Sequence, residues 1–405
     1  MEHIVLEIGF ALALMAAAGL LASNLKFSIV PLLILVGMLV GPHAPHLGVI
    51  DFRFIASAPL IDFMGRLGVL FLLFYLGLEF SVSRLLKAGR TILTSGIIYM
   101  AINLTLGIGF PLYLGWPLRE TLVAAGVTTI SSSAIVAKMI VDLKRTANPD
   151  TEIILGLMMF QDVFVAVYLS IVSGIVLTGA TSFGKVTGAT LVALGFMLGL
   201  IIVGRKAVSV LNYLLDLPSD ELFLLALFSL ITLVAGFSET LHIAEAIGAL
   251  LTGLVLAETR HVQRIERLVV PFRDFFGAIF FFSFGLSIDP LTLGGAVGPA
   301  IIAVILTLLG NFVAGLLSGR SAGLSLRASA NIGLTITSRG EFSIILAKLA
   351  KQGGLLPFLQ PFIALYVLIL AILGPLLTKE SKKISKLLSR FIKWEANSRA
   401  IHYDR

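Results

Sequence analysis

Two stretches decide the fold: "TTISSSAIVAK" (Thr128–Lys138) and "LTITSRGEFSI" (Leu334–Ile344). Each sits at the centre of an apolar run and sets Ser and Thr side by side where a membrane helix should be most apolar. Clustered hydroxyls hydrogen-bond the local backbone and compete with the helical ladder, and Gly340 weakens the second stretch further. Thr129-Ile130-Ser131-Ser132 lines up with Thr335-Ile336-Thr337-Ser338. Small hydroxyl residues also let membrane helices pack closely, and either stretch alone carries that meaning. A matching polar break in two distant places carries another, namely two helices interrupted at mid-membrane. Interrupted backbone is tolerated at that depth only inside protein or along a wet cavity. Its free helix ends offer partial positive charge at one side and carbonyls at the other. Two such helices crossing make an ion site.

The surrounding chain is built for a bilayer. Of its 405 residues, 58% are hydrophobic and 13% charged, where soluble domains carry roughly 25% charged; the mean hydropathy is +1.02. About thirteen spans are expected, near 4–22, 28–41, 60–80, 91–114, 118–140, 151–177, 185–206, 219–236, 240–258, 268–288, 296–318, 325–350 and 358–378. The interrupted stretches fall in the fifth and twelfth. Two six-span halves, about 1–178 and 218–378, are then joined by one linker helix. An odd linker turns the second half over, which is the inverted-repeat plan of secondary transporters. The expected fold class is therefore all-α and polytopic, with two crossed discontinuous helices. The start "MEHIVLEIGF" lacks the basic region of a cleaved signal, so the first run reads as a retained helix. Cysteine is absent, excluding disulfides and thiolate metal sites, and the six His show no metal-ligand spacing.

Lys and Arg orient the spans. Alternate connections carry Lys26; Arg84, Lys87 and Arg90; Lys144 and Arg145; Arg205 and Lys206; Arg260, Arg264 and Arg267; Arg320 and Arg327. The opposite connections, such as "GPHAPHLG" and "LGWP", are poor in basic residues. The N-terminus is expected outside and the C-terminus inside. The net charge of +7 then reflects inner loops and a basic tail rather than nucleic-acid binding. Residues 1–378 form the transmembrane part and 379–405 a tail, in which Ile384, Leu387, Leu388, Phe391 and Ile392 recur at helical spacing among Lys. Such an amphipathic basic helix suits anionic membrane lipid or a docking partner.

Asp162, Arg339 and Glu341 fall near the middle of their spans. An ionisable group there costs at least ~2.5–3.5 kcal/mol on insertion scales, so by default it marks a pathway. Arg339 and Glu341 can satisfy one another or the broken backbone, and are expected to organise the second break with Thr337 and Ser338. Asp162 has no basic residue in its own span, and its neighbour is Gln161. Burial raises the pKa of an isolated acid. Such a carboxylate takes a proton or, once ionised, a partly dehydrated monovalent cation. Competition for one group, with access alternating between the two sides, gives obligatory exchange; one charge neutralised by one proton or one cation makes it electroneutral. Asp162 and Gln161, with Thr129, Ser131 and Ser132 of the first break, are the candidate ion- and proton-binding residues, and Asp162 the ligand of the monovalent cation.

The chain resembles the Kef-type cation:proton antiporters along its membrane length. The matching pieces are "FYLGLEF" (Phe74–Phe80), Gln161–Asp162, "FFFSFGLSID" (Phe280–Asp289) and "SRGEFS" (Ser338–Ser343), with "FSIVPLLILVGMLVGPHAP" and "HIAEAIGALLTGLV" as further likenesses. The resemblance implies a sodium/proton-antiporter-like fold in a bacterial cytoplasmic membrane. It implies a homodimer whose core domain moves against a dimerisation domain, and potassium as the main cation. It carries Asp162 over as the shared carboxylate. Relatives with two adjacent acids tend to be electrogenic sodium exchangers, so Gln161 agrees with electroneutrality. Some electrogenic relatives place a Lys in the eleventh span, where this chain offers Asn311. No cofactor is implied beyond the transported potassium or sodium and protons. Many Kef proteins carry a fused nucleotide-binding domain, which is not expected in this chain. The similar proteins instead work with a separate cytosolic regulatory subunit holding a potassium-channel-regulator C-terminal domain.

Other classes fit less well. A "TVGYG"-type filter is absent, which weakens a potassium channel. Ser131–Ser133 could supply a nucleophile, but no His or Lys base sits at matching depth, so the chain is not expected to be an enzyme. Sodium in place of potassium stays open at this point.

Overall fold

The computed structural model describes residues 4–25, 28–44, 46–47, 50–51, 53, 55, 58–79, 89–145, 147–179, 183–241 and 243–388. Lys26, Arg84, Lys87, Phe80 of "FYLGLEF", and the tail residues Arg390, Phe391 and Ile392 lie outside the described residues.

One short antiparallel pair, His46–Leu47 with Ile50–Asp51, accompanies a chain of helices. In order these are α1 (Ile4–Leu25), α2 (Ile29–Val40), α3 (Ala58–Glu79), α4 (Gly89–Tyr113), α5 (Leu118–Thr129), α6 (Ser133–Asp142), α7 (Pro149–Thr178) and α8 (Phe183–Lys206). There follow α9 (Val208–Leu214), α10 (Asp220–Thr240), α11 (Glu245–Leu256), α12 (Val262–Leu286), α13 (Val297–Ser321), α14 (Leu326–Thr335), α15 (Glu341–Gln352) and α16 (Leu359–Leu388). Among the described residues nine helices are long and apolar enough to cross a membrane, and α2 and α11 are shorter apolar helices. The chain is an all-α polytopic membrane protein. The stretches expected as the fifth and twelfth spans are each two helices, α5 with α6 and α14 with α15, and the breaks fall where the Ser/Thr clusters place them. Helix α16 crosses the expected tail boundary at 378 without interruption and runs ten residues further.

The chain divides into two compact units. One comprises residues 1–81, 166–292 and 348–357. In it α3 packs on both α11 and α12, and α2 packs on α12. Its core joins Phe71 and Phe74 of α3, Phe223 and Leu227 of α10, and Ile265 and Val269 of α12. The helix contacts are made backbone to backbone. A Cβ on Gly37 would overlap the Phe282 carbonyl and one on Gly285 the Ile34 carbonyl; Gly77 and Gly253 stand likewise against Leu250 and Phe74. Charges on these helices are matched. Arg66 of α3 donates to both carboxylate oxygens of Glu245 at 2.9 and 2.8 Å, and Lys348 lies 3.2 Å from Asp62.

The other unit comprises residues 82–165, 293–347 and 358–405. Helix α4 packs on α5 and α13, α13 on α14, and α14 on α16. Tyr99 and Met100 of α4, Val136 and Ile140 of α6, Ile154 and Leu157 of α7, and Ile332 of α14 share its core. Gly315 and Gly319 of α13 form a packing seam: Cβ atoms there would overlap Gly333 and Ser329 of α14. The equally spaced Gly195 and Gly199 of α8 meet nothing within 4 Å, so within one chain they form no such seam.

Candidate functional site

The last four carbonyls of a helix have no intrahelical partner, and at membrane depth water does not supply one. At the end of α5 each is accounted for. Gly126 O accepts the Ile130 N–H at 3.2 Å, Val127 O the Ser343 hydroxyl at 3.1 Å, and Thr129 O the Tyr99 hydroxyl at 2.9 Å. Thr128 O accepts Arg339 Nη2 at 2.7 Å and the Tyr366 hydroxyl at 3.4 Å. At the end of α14 two of these bonds recur at aligned positions. Ile336 N–H donates to Ile332 O at 3.2 Å, and Thr337 Oγ1 to Gly333 O at 3.0 Å. Ile336 O accepts Ser131 Oγ at 2.7 Å, Asn311 Nδ2 at 3.2 Å and Arg339 Nη1 at 3.1 Å.

Arg339 is therefore the common cap of two helix ends. It is wholly buried, and Nη1 reaches Thr337 O at 3.1 Å and Ser338 O at 3.4 Å besides Ile336 O. A helix C-terminus carries roughly half a negative charge, and one guanidinium answers two of them. Of the two expected modes, the broken backbone is the one Arg339 uses. Glu341 takes another partner, the Ser132 hydroxyl at 2.9 Å. As the first residue of α15 it sets its carboxylate at a helix N-terminus, where negative charge is favoured. Ser132 N–H donates to Ser338 O at 2.9 Å, so the two extended breaks touch directly.

Helix α7 enters this junction through Gln161, which is buried. Its Oε1 accepts the Ser131 N–H at 2.8 Å. Because a backbone N–H can only donate, the amide orientation is fixed and Nε2 faces away from Ser131. Asp162 is the next residue, about 100° around the helix, on its partly exposed side. Ser131 Oγ also meets Tyr99 Oη at 3.0 Å and accepts Arg339 Nη1 at 3.1 Å.

The structure thus gathers Gln161, Ser131, Ser132, Thr337, Ser338, Arg339 and Glu341 about one junction, with Thr129 ending α5 beside it. Thr129 Oγ1, Thr335 Oγ1, Ser338 Oγ and Asn311 Oδ1 are buried oxygens without a protein partner. Unpaired buried polar atoms are costly, and oxygens of this kind suit a hard, partly dehydrated monovalent cation or its water. Among the described residues no group of three or more His, Asp and Glu is arranged to hold a metal ion. Sequence reasoning missed Tyr99, Thr307, Asn311 and Tyr366 as functional groups. Thr307 Oγ1 lies 2.7 Å from Tyr366 Oη and steadies it. The signal for each was a polar group in the apolar part of its helix; Tyr99 with Asn103 shares one face of α4, and Thr307 with Asn311 one face of α13.

A family model described as the transmembrane sodium/hydrogen exchanger matches residues 10–379. The chain is 61% identical over 395 residues to the potassium/proton antiporter subunit KhtU of Bacillus subtilis, covering 98% of each. It is 31% identical over 379 residues to the ammonium/proton antiporter subunit AmhT of Alkalihalophilus pseudofirmus, covering 93% of each. Its fold is similar to that of the sodium/proton antiporter MjNhaP1 from Methanocaldococcus jannaschii, with a TM-score of 0.65, 18% identity, and coverage of 95% of this chain and 99% of that one.

Proposed function

The chain belongs to the sodium/hydrogen exchanger family, and from that premise we propose that it exchanges potassium for protons, one for one, at Asp162. It is a secondary cation:proton antiporter, a transporter and not an enzyme. The observation that carries the assignment to Asp162 is the 2.8 Å bond from Ser131 N–H to Gln161. It brings the acid-bearing helix to the one place where two interrupted helices expose their ends. Protonated, the acid is neutral; ionised, it is neutralised equally by one monovalent cation. Gln161 adds no second titrating charge, which supports electroneutral exchange. The potassium assignment is supported by the relative at 61% identity that is named a potassium/proton antiporter subunit.

The finer architecture belongs to the same reading. Nine long spans, two short ones and two interrupted ones give about thirteen crossings. Inverted halves are supported by the aligned ends of α5 and α14 at Thr129 and Thr335. The basic residues support a cytoplasmic C-terminus. Residues 1–378 are the antiporter domain on this reading, and the basic segment after them a regulatory element. Two copies form the working unit, a reading that rests on the family resemblance. A separate cytosolic regulatory subunit is supported by the names of both relatives, which call them antiporter subunits.

The test is cation-driven proton movement in proteoliposomes, offering potassium and sodium in turn. Asp162→Asn keeps size and hydrogen bonding but cannot ionise. Purified and folded, it should show no exchange above empty vesicles. Exchange at the normal rate would make the acid structural and remove it from the mechanism.

A further inference from the structure

A second buried polar node lies away from the junction, around Arg145 in the connection between α6 and α7. Its guanidinium is buried and donates through Nη1 to Asn331 Oδ1 of α14 at 2.8 Å. The same nitrogen reaches Thr378 O and Ser381 Oγ of α16 at 2.8 and 3.0 Å. Asn331 is held from two further sides, donating to Asp150 at the start of α7 and accepting the Ser381 hydroxyl at 2.6 Å. The Arg145 backbone completes the node. Its N–H caps α6 at Ile140 O, 2.9 Å away, and its carbonyl accepts the Thr151 hydroxyl at 2.6 Å.

Three of the helices tied here are those that meet at the ion site. Helix α6 leads from the first break, α7 carries Gln161 and Asp162, and α14 ends in the second break. Asn331 stands four residues before Thr335, about 6 Å along the axis of α14. A single helical turn does not bend under side-chain forces, so where Asn331 sits, the Ile336 carbonyl follows. The fourth helix, α16, turns Thr378, Ser381 and Ser385 inward and leaves Lys379, Lys382, Lys383 and Lys386 exposed.

We propose that Arg145 is a positioning residue for exchange, through which the far end of α16 sets α14, α6 and α7 relative to one another. Arginine is required because its planar fork meets several acceptors at once, whereas a lysine is a point charge on a flexible stem. A buried cation is tolerated only with its partners in place. A displacement of α16 that takes Thr378 and Ser381 away therefore leaves Arg145 short of acceptors and loosens Asn331. The inference rests on the reading of Asp162 as the exchanging acid.

The experiment uses the full chain in proteoliposomes and compares Arg145→Lys, Ser381→Ala and the double variant. The readouts are the apparent potassium half-saturation and maximal rate per folded protein, and hydrogen exchange at residues 326–335 and 378–386. Each single change should alter half-saturation by about three- to tenfold, in the lower part of the range of coupling between contacting residues, with the double no worse than the stronger single. Protection should fall together in both segments. Loss of protection at 378–386 alone, with half-saturation within about twofold, would show that Arg145 merely anchors the helix and would overturn the proposal. Ser381→Ala removes one hydroxyl and carries the test if Arg145→Lys does not fold. Hydrogen exchange reads the node without transport, so an unaltered protein that moves no potassium would count against the exchange reading and not against the coupling.

Discussion

Replacing Arg339 by Met removes a charge and five N–H donors from a wholly buried position while keeping much of the volume. The cost follows from the carbonyls left behind. Ile336 O keeps Ser131 and Asn311, Thr128 O keeps Tyr366, and Ser338 O keeps the Ser132 N–H. Thr337 O loses the donor described for it, which costs about 1–3 kcal/mol. Two helix C-termini also lose their cation, together about 1–3 kcal/mol in a partly buried setting. The sum, about 2–6 kcal/mol, is a large part of the ~5–15 kcal/mol by which folded domains typically survive. Arg339→Lys keeps the charge and loses the fork, so it should fall between Met and the native residue. Glu341→Gln still accepts the Ser132 hydroxyl and forfeits mainly the charge at the α15 N-terminus, about 0.3–1 kcal/mol. The expected order of destabilisation is Arg339→Met, Arg339→Lys, Glu341→Gln, read from thermal unfolding in detergent by the monodisperse fraction on size exclusion. A Met variant within about 0.5 kcal/mol of the native protein would refute the capping argument, and so would a Glu341→Gln that costs more than Arg339→Met. A well-folded Glu341→Gln that loses only cation dependence would instead make Glu341 a direct ligand.

If one carboxylate serves both ions, raising the proton concentration should raise the apparent cation half-saturation and leave the maximal rate at saturating cation unchanged; a fall in that maximal rate alone would separate the two sites. Gln161→Asp sets two acids side by side and drives one pKa upward, and transport by this variant should become sensitive to an imposed membrane potential, to which the proposed one-for-one native exchange should not respond. Tyr99→Phe leaves the Thr129 carbonyl without the donor described for it and should cost about 1–3 kcal/mol of stability, measured against an exposed Tyr113→Phe control expected to be silent. The chain has no cysteine of its own, so a single Lys386→Cys should react with impermeant maleimide only in opened cells, and labelling of intact cells would reverse the assigned orientation.

The broken helices were legible because hydroxyl clusters at mid-span oppose the hydrocarbon pattern, and because the pattern occurs twice. The mid-span charges were legible for the same reason. What lay beyond the sequence was the pairing. Tyr99, Asn311 and Tyr366 are polar residues on three separate helices, and their targets, the carbonyls of residues 128, 129 and 336, have no side-chain signature. Arg145 shows a different limit. Its position beside Lys144 in a connection marks it as an orienting charge, and the rule that reads such charges is silent about burial. The tail pattern from Ile384 onward runs largely beyond the described residues, and the inward groups before it, Thr378 and Ser381, are short hydroxyls that a hydrophobic periodicity does not register.

The glycines that face one another across α2 and α12, and across α3 and α11, decide what kind of motion their unit can support. Where side chains interdigitate, two helices can settle into alternative arrangements by rotamer changes, each a small step. Glycine against carbonyl offers no such steps, since there are no torsions at the contact to reset. These four helices can be carried, tilted or held as a block, but they cannot shear past one another in increments. An alanine at Gly77 or Gly253 therefore acts as a wedge at a fixed spacing rather than as a filled cavity, and its effect should appear as lost assembly of the helices, not as a graded softening.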